Sequence, residues 1–139
     1  AGKYFPLAEV RPERIKMSDL ILVRGLPGSG KSTFARKLKL SGYIHLEADM
    51  YFTAEGHYNF DPTRIKQAHE WCQEQAHTNL YNGRNVVVSN TFVRKWEMEP
   101  YLRMPYSQVT IVECTGSFGN EHGVPDHAID RMAQNWERL

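Results

Sequence analysis

Eight residues, Gly25-Leu26-Pro27-Gly28-Ser29-Gly30-Lys31-Ser32, constrain the fold more than any other part of the chain. They fit the pattern G-x-x-x-x-G-K-[ST], and their surroundings fit as well. The apolar run Leu20–Arg24 precedes them, and helical spacing follows from Lys31. Glycines let the backbone curl until its N–H groups point at phosphate oxygens. The helix start adds the positive end of its dipole. In such a loop Lys31 neutralises β- and γ-phosphates and the Ser32 hydroxyl can ligate Mg²⁺. The expected nucleotide contacts are Gly25, Pro27, Gly28, Ser29, Gly30, Lys31, Ser32 and Thr33. A chance glycine-rich turn, the alternative, would not account for a strand and a helix in register on either side.

The rest of the chain alternates short apolar runs with helical periodicity. Strands are expected at Leu20–Arg24, Tyr43–Asp49, Asn85–Asn90 and Gln108–Cys114. One helix should run from Lys31 to near Gly42. A second should start at Asp61-Pro62, with Asp61 as cap, and end at Gly83. Its residues Ile65, Ala68, His69, Cys72, Ala76 and Leu80 share one face, which should be buried. A short helix interrupted near Pro100 follows, and Ile129, Met132, Ala133 and Trp136 mark a last amphipathic one. Residues Met50–Phe60 read as a loop. Strands alternating with helices imply parallel βαβ units and a three-layer α/β, P-loop NTPase fold. Its parallel sheet of about four to five strands should run in the order second–third–first–fourth.

The 139 residues fit one domain, expected over 17–139, with residues 1–16 as an extension of unknown role. The net charge of +1 provides no global field for nucleic acid or membrane, so any basic groove must be local. No apolar run approaches the roughly 20 residues of a membrane span. Ala1–Lys16 lacks the apolar stretch of a signal peptide, so a cytoplasmic protein is expected. Cys72 and Cys114 are read as reduced thiols, a disulfide being the alternative. Neither they nor the six histidines show a metal-ligand spacing.

A kinase acting on a hydroxyl needs a carboxylate near the acceptor oxygen. Ligands of open parallel sheets collect at the carboxyl ends of the strands. Asp49 ends the second expected strand and is the expected base, the alternative being a turn cap. Glu47 shares its strand face but lies further from the edge.

The segments "GLPGSGKST", "EADMYF", "GHYNFDP", "AHEWCQEQA", "GRNVVVSNT", "WEMEPYL" and "NEHGVPDHAIDRM" occur in that order. Together they resemble the P-loop 5′-hydroxyl polynucleotide kinase group and its short kinase-like relatives. The resemblance runs from Leu20 to Glu137. It implies ATP- and Mg²⁺-dependent transfer of the γ-phosphate to a 5′-hydroxyl end of DNA or RNA. Lys31 and Ser32 would then serve ATP and metal, and Asp49 would activate the hydroxyl.

Three positions depart from the group. Phe52 stands where an arginine often meets a phosphate of the nucleic acid. Ser89-Asn90-Thr91 lacks the aspartate that would steady Mg²⁺ waters. The lid stretch Gly119-Asn120-Glu121-His122-Gly123-Val124 has glycine where an arginine would meet the transferring phosphoryl group. Arg131, on the polar side of the last helix, is the candidate replacement, with Arg94 and Lys95 as the others. The stretch Thr115–Gly123 should form a mobile lid, with His122 as a functional candidate. Tyr51, Phe52, Tyr58 and Phe60 suggest a partly apolar acceptor cleft, Trp96 a stacking surface, and Trp136, His45 and His69 core positions. Two further readings stay open: a kinase for a modified DNA base, nucleoside or sugar nucleotide, and a nucleotide-binding module without catalysis.

Overall fold

The computed structural model describes residues 18–54, 56–119 and 123–139. Two runs of aliphatic residues occupy the centre. In β1 (Asp19–Arg24), Leu20, Leu22 and Val23 are fully buried. In β3 (Val86–Ser89) all four residues are buried. A strand covered on both faces must be apolar throughout, which places these two inside the sheet. β2 (Ile44–Leu46) and β4 (Gln108–Glu113) form the edges. The order is β2-β3-β1-β4, every pair parallel, as expected from the sequence. Leu20 sits opposite Val86 on one side and Val109 on the other.

Helix α1 (Lys31–Leu40) packs Ala35, with Phe34 and Leu38, against Val23 and Val87 on one face of the sheet. Helix α2 (Ile65–Tyr81) and helix α3 (Glu99–Leu102) cover the other face, where Cys72, Leu80 and Tyr101 meet Leu20, Leu22 and Val88. Three layers result.

Asp61 caps as expected, accepting hydrogen bonds from the Thr63 amide at 3.0 Å and hydroxyl at 2.7 Å. Pro62 opens the 3₁₀ turn that leads into α2. Burial along α2 is narrower than its periodicity suggests. Ala68, Cys72, Ala76 and Leu80 are buried, but Ile65 and His69 are exposed. His69 is therefore not a core residue. Pro100 lies in the first turn of α3, where a missing N–H breaks no bond. The interruption expected near Pro100 is the hand-over from the 3₁₀ turn Lys95–Met98 to α3 at Glu99.

The second strand is shorter than expected. It stops at Leu46, and the chain turns into a 3₁₀ helix, Ala48–Phe52. The Asn90 side-chain oxygen accepts the Ala48 N–H at 2.9 Å and takes over from the strand ladder there. The expected loop then holds a small hairpin, Thr53–Ala54 against His57–Tyr58. Helix α4 (Asp126–Gln134) has no fully buried residue and ends before Trp136. Trp136 is thus off any helical stripe, its ring 4.0 Å from the Arg24 guanidinium carbon. Arg24 itself is fully buried. Cys72 and Cys114 are free thiols. No described helix is long and apolar enough to cross a membrane.

Candidate active site

The phosphate loop lies between the end of β1 and the start of α1. Gly28 and Gly30 have φ of 83° and 96°, a region that L side chains rarely adopt. A Cβ on Gly28 would also strike the Gly119 carbonyl. The loop is braced by its own backbone, with the Ser29 N–H on Leu26 O at 3.1 Å. The stretch after β4 braces it from outside. There the Gly116 N–H donates to Ser29 O at 3.1 Å, and the Phe118 N–H to Gly28 O at 2.7 Å.

Gly28, Gly30, Lys31, Ser32 and Thr33 line one small cavity of about 40 Å³ with Phe118 and Gly119. Pro27 lines the neighbouring cleft instead. Ser29 is turned inward: its hydroxyl is buried, with no hydrogen-bond partner among the described residues. Gly25 stands directly behind it, where a Cβ would strike that hydroxyl. These two residues shape the loop rather than line the cavity. Phe118 was not foreseen. It is 78% exposed, its ring against Gly30, and only its isolation in a glycine-rich stretch could have drawn attention to it.

A larger cleft of about 580 Å³ opens beside the loop. Lys31, Ser32, Glu47 and Asp49 supply its polar end. Phe52, Tyr58 and Phe60 supply an aromatic wall, and Val124, Pro125 and Met132 come from α4 and the residues before it. The Tyr58 and Phe60 rings stack at 6.4 Å, and Phe60 meets Phe52 edge-on at 5.1 Å. The exposed Ile65 and His69 also face this cleft, which is why the end of the α2 stripe is uncovered.

Asp49 sits in the first turn of the 3₁₀ helix rather than in the strand, and the Tyr58 hydroxyl donates to its Oδ1 at 3.0 Å. Burial first, and the Asp49 charge second, push the Tyr58 pKa up to about 12 from the usual 10.0. A phenol held protonated in the folded state stabilises it below the unfolded value, and that contribution is lost as pH rises through the folded value. The Tyr58–Asp49 hydrogen bond should therefore persist at pH 10. The difference between the ultraviolet titrations of the wild type and Tyr58→Phe should show a phenol ionising late, at about 12. A difference titration centred near the usual 10.0 would disprove the assignment.

Glu47 was read as a strand neighbour of Asp49. It is instead 9% exposed and accepts the Ser32 hydroxyl on Oε2 at 2.7 Å. His45 Nε2 lies 3.0 Å from the same oxygen. The structure thus joins Ser32, Glu47 and His45 in one line, so His45 is more than a core residue. Their spacing in sequence contains no signal for this. Asn90 is also buried, its oxygen on Ala48 N–H and its amide nitrogen 3.9 Å from Cys72 Sγ. Among the described residues no group of three His, Cys, Asp or Glu side chains could enclose a metal. The Ser32 hydroxyl beside a carboxylate is nevertheless a donor set for a hard cation that takes its other ligands from phosphates and water.

Neither cavity is lined by Arg131, which is exposed in the last turn of α4. Arg94 caps the turn before α3, and its Nη1 lies 3.4 Å from Asn135 O. Lys95 and Trp96 are exposed in that turn, and Trp96 does not line the cleft. His122 lies outside the described residues, as do Asn120 and Glu121.

A family model described as an AAA domain matches residues 20–117. The human NEDD4-binding protein 2 is 36% identical over 136 residues, covering 86% of this chain. The chain spans 8% of that protein's length. A chain in the solved Pnkp1/Rnl/Hen1 RNA repair complex superposes with a TM-score of 0.62 at 21% identity, covering 86% of this chain and 44% of that one. A gluconokinase from Sinorhizobium meliloti 1021 superposes with a TM-score of 0.53 at 19% identity, covering 88% and 77%. At these identities the two superpositions establish a common fold.

Proposed function

The chain belongs to this AAA-domain family of P-loop, kinase-like proteins, and we propose that it transfers the γ-phosphoryl group of ATP to a hydroxyl, foremost the 5′-hydroxyl end of DNA or RNA. The observation that carries this reading is the single cleft shared by Lys31, Ser32 and Asp49. A phosphate loop and a carboxylate facing one cavity are what hydroxyl phosphorylation requires.

In this reading the backbone from Gly28 to Thr33 and the Lys31 ammonium bind the triphosphate. Asp49 takes the proton of the attacking hydroxyl, and Tyr58 holds its carboxylate in place. Phe52, Tyr58 and Phe60 pack the body of the acceptor and exclude water, which keeps the phosphoryl group for the intended oxygen. Ser32 would hold Mg²⁺, which when bound neutralises charge on the phosphate oxygens. Arg131 is proposed to meet the transferring phosphoryl group.

One observation favours a second acceptor class. Phe52 is buried in the cleft wall, at the position where the resemblance implies a cation for a nucleic-acid phosphate. A nucleoside or sugar hydroxyl needs no such cation. Transfer of label from γ-labelled ATP should therefore be measured on 5′-hydroxyl DNA and RNA oligonucleotides, nucleosides and sugar nucleotides. Labelled oligonucleotide ends support the first reading. Label on small acceptors alone supports the second, and ATP binding without transfer to any would leave a nucleotide-binding module.

Lys31→Ala tests the nucleotide site directly. Losing a charged hydrogen-bond donor should weaken ATP binding by about 1.5–3 kcal/mol. An unchanged affinity by calorimetry would refute the assignment.

A further inference from the structure

We propose that Glu47 is the carboxylate that anchors the water shell of the Mg²⁺ ion accompanying the nucleotide, with Ser32 beside it. The inference rests on the ATP-binding reading and goes beyond it by naming a residue that motif and resemblance passed over.

Four observations converge. First, Glu47 Oε2 and the Ser32 Oγ are 2.7 Å apart, although 15 residues separate them in sequence. Ser32 is the second residue of α1, so the carboxylate reaches the phosphate loop itself. Second, Glu47 is 9% exposed. A carboxylate taken out of water costs several kcal/mol unless other groups replace its solvation. Third, capping the 3₁₀ helix does not account for its direction. Glu47 occupies the cap position of the 3₁₀ helix in extended conformation, yet its side chain makes no capping hydrogen bond there. It points toward the loop. Fourth, His45 Nε2 lies 3.0 Å from the same oxygen, which fixes the carboxylate in the way outer partners orient a metal-binding group.

The third strand offers no competing carboxylate. At its end Ser89 and Asn90 are buried, and the Asn90 oxygen is committed to the Ala48 N–H. That bond turns the chain out of the sheet directly after Glu47. Asn90 thus helps to place Glu47. Mg²⁺ keeps several waters and binds through one or two carboxylates together with substrate phosphates. One buried glutamate beside the loop serine fits that chemistry.

The test is calorimetry of ATP binding with and without Mg²⁺, on the wild type and on Glu47→Gln. Mg²⁺ should tighten ATP binding to the wild type. Glu47→Gln should reduce this gain by about 10–100-fold and leave metal-free ATP affinity intact. A variant that keeps the full gain overturns the inference, as does a wild type whose ATP affinity ignores Mg²⁺. A wild type that binds no ATP at all overturns the underlying nucleotide reading instead. A second measurement needs no variant. In wild-type protein labelled with carboxyl-¹³C glutamate, Mn²⁺ added to the ATP complex should broaden a glutamate carboxyl signal that the metal-free ATP complex leaves sharp. If every glutamate signal stays sharp, Glu47 is not at the metal.

Discussion

Asp49→Asn is expected to bind ATP like the wild type and to lose about 10²–10⁴-fold in phosphoryl transfer. The substitution is nearly isosteric, and the Tyr58 hydroxyl, 3.0 Å from Oδ1, can donate equally to an amide oxygen. The hairpin and the aromatic wall should therefore keep their places. What disappears is the ability to accept the hydroxyl proton. Because the phosphate loop is untouched, the loss should fall on turnover, with ATP affinity within error of the wild type. Single-turnover transfer and calorimetry on the same preparation separate the two. A variant with wild-type turnover would make Asp49 a cap for the 3₁₀ helix, and the base would have to be sought elsewhere in the cleft.

The largest stability effect should come from Arg24→Met, about 3–5 kcal/mol, the range for breaking a buried charged network from one side. Arg24 is fully buried at the end of β1. Its Nε and Nη2 donate to Phe92 O at 3.1 and 2.8 Å, and Nη2 also reaches Val93 O at 3.2 Å and Glu137 O at 2.7 Å. Trp136 covers the guanidinium, and Glu113 lies 3.8 Å from Nη1. Burial lowers the Arg24 pKa, opposed by Glu113, Glu97 and Glu137 in that order, so the side chain remains a cation at neutral pH. Removing it takes the guanidinium donor from the Phe92 and Glu137 carbonyls, whereas Val93 O keeps the Glu137 N–H at 2.9 Å and Glu113 keeps the Trp136 Nε1–H at 3.1 Å. It also frees Phe92, a non-glycine residue at φ 47°. That conformation is costly and needs its surroundings to hold it. Arg24→Lys should recover little, because an ammonium lacks the fixed fork that spans several carbonyls. Urea unfolding is the measurement, and a change under about 1 kcal/mol would show the network to be dispensable.

Both predictions begin from residues that the sequence displays, yet it displays them unequally. The phosphate loop was legible because its chemistry is local. Gly28 and Gly30 carry the backbone angles, and Lys31 and Ser32 follow within the same turn. The sheet order was legible for a related reason. Continuous apolar runs at Leu20–Val23 and Val86–Val88 require cover on both faces, and right-handed crossovers leave few arrangements. Asp61 and Pro62 announced the helix they cap.

Other features depended on where distant segments meet. Periodicity says which face of α2 is apolar, but not how far the sheet extends beneath it, so Ile65 and His69 were misread until the cleft appeared under them. Arg24 reads as the polar end of a strand, because its partner Glu137 is 113 residues away. Glu47 reads as half of an alternating strand, because the strand ends one residue earlier and the next N–H, that of Ala48, donates to Asn90. The sequence by itself thus determined the central strands and the main helices, the order of the sheet and the phosphate loop, all consequences of backbone sterics and short-range apolar pattern. Only the tertiary structure decided which polar groups share a buried space, since a hydrogen bond between remote residues leaves no periodic trace in the chain.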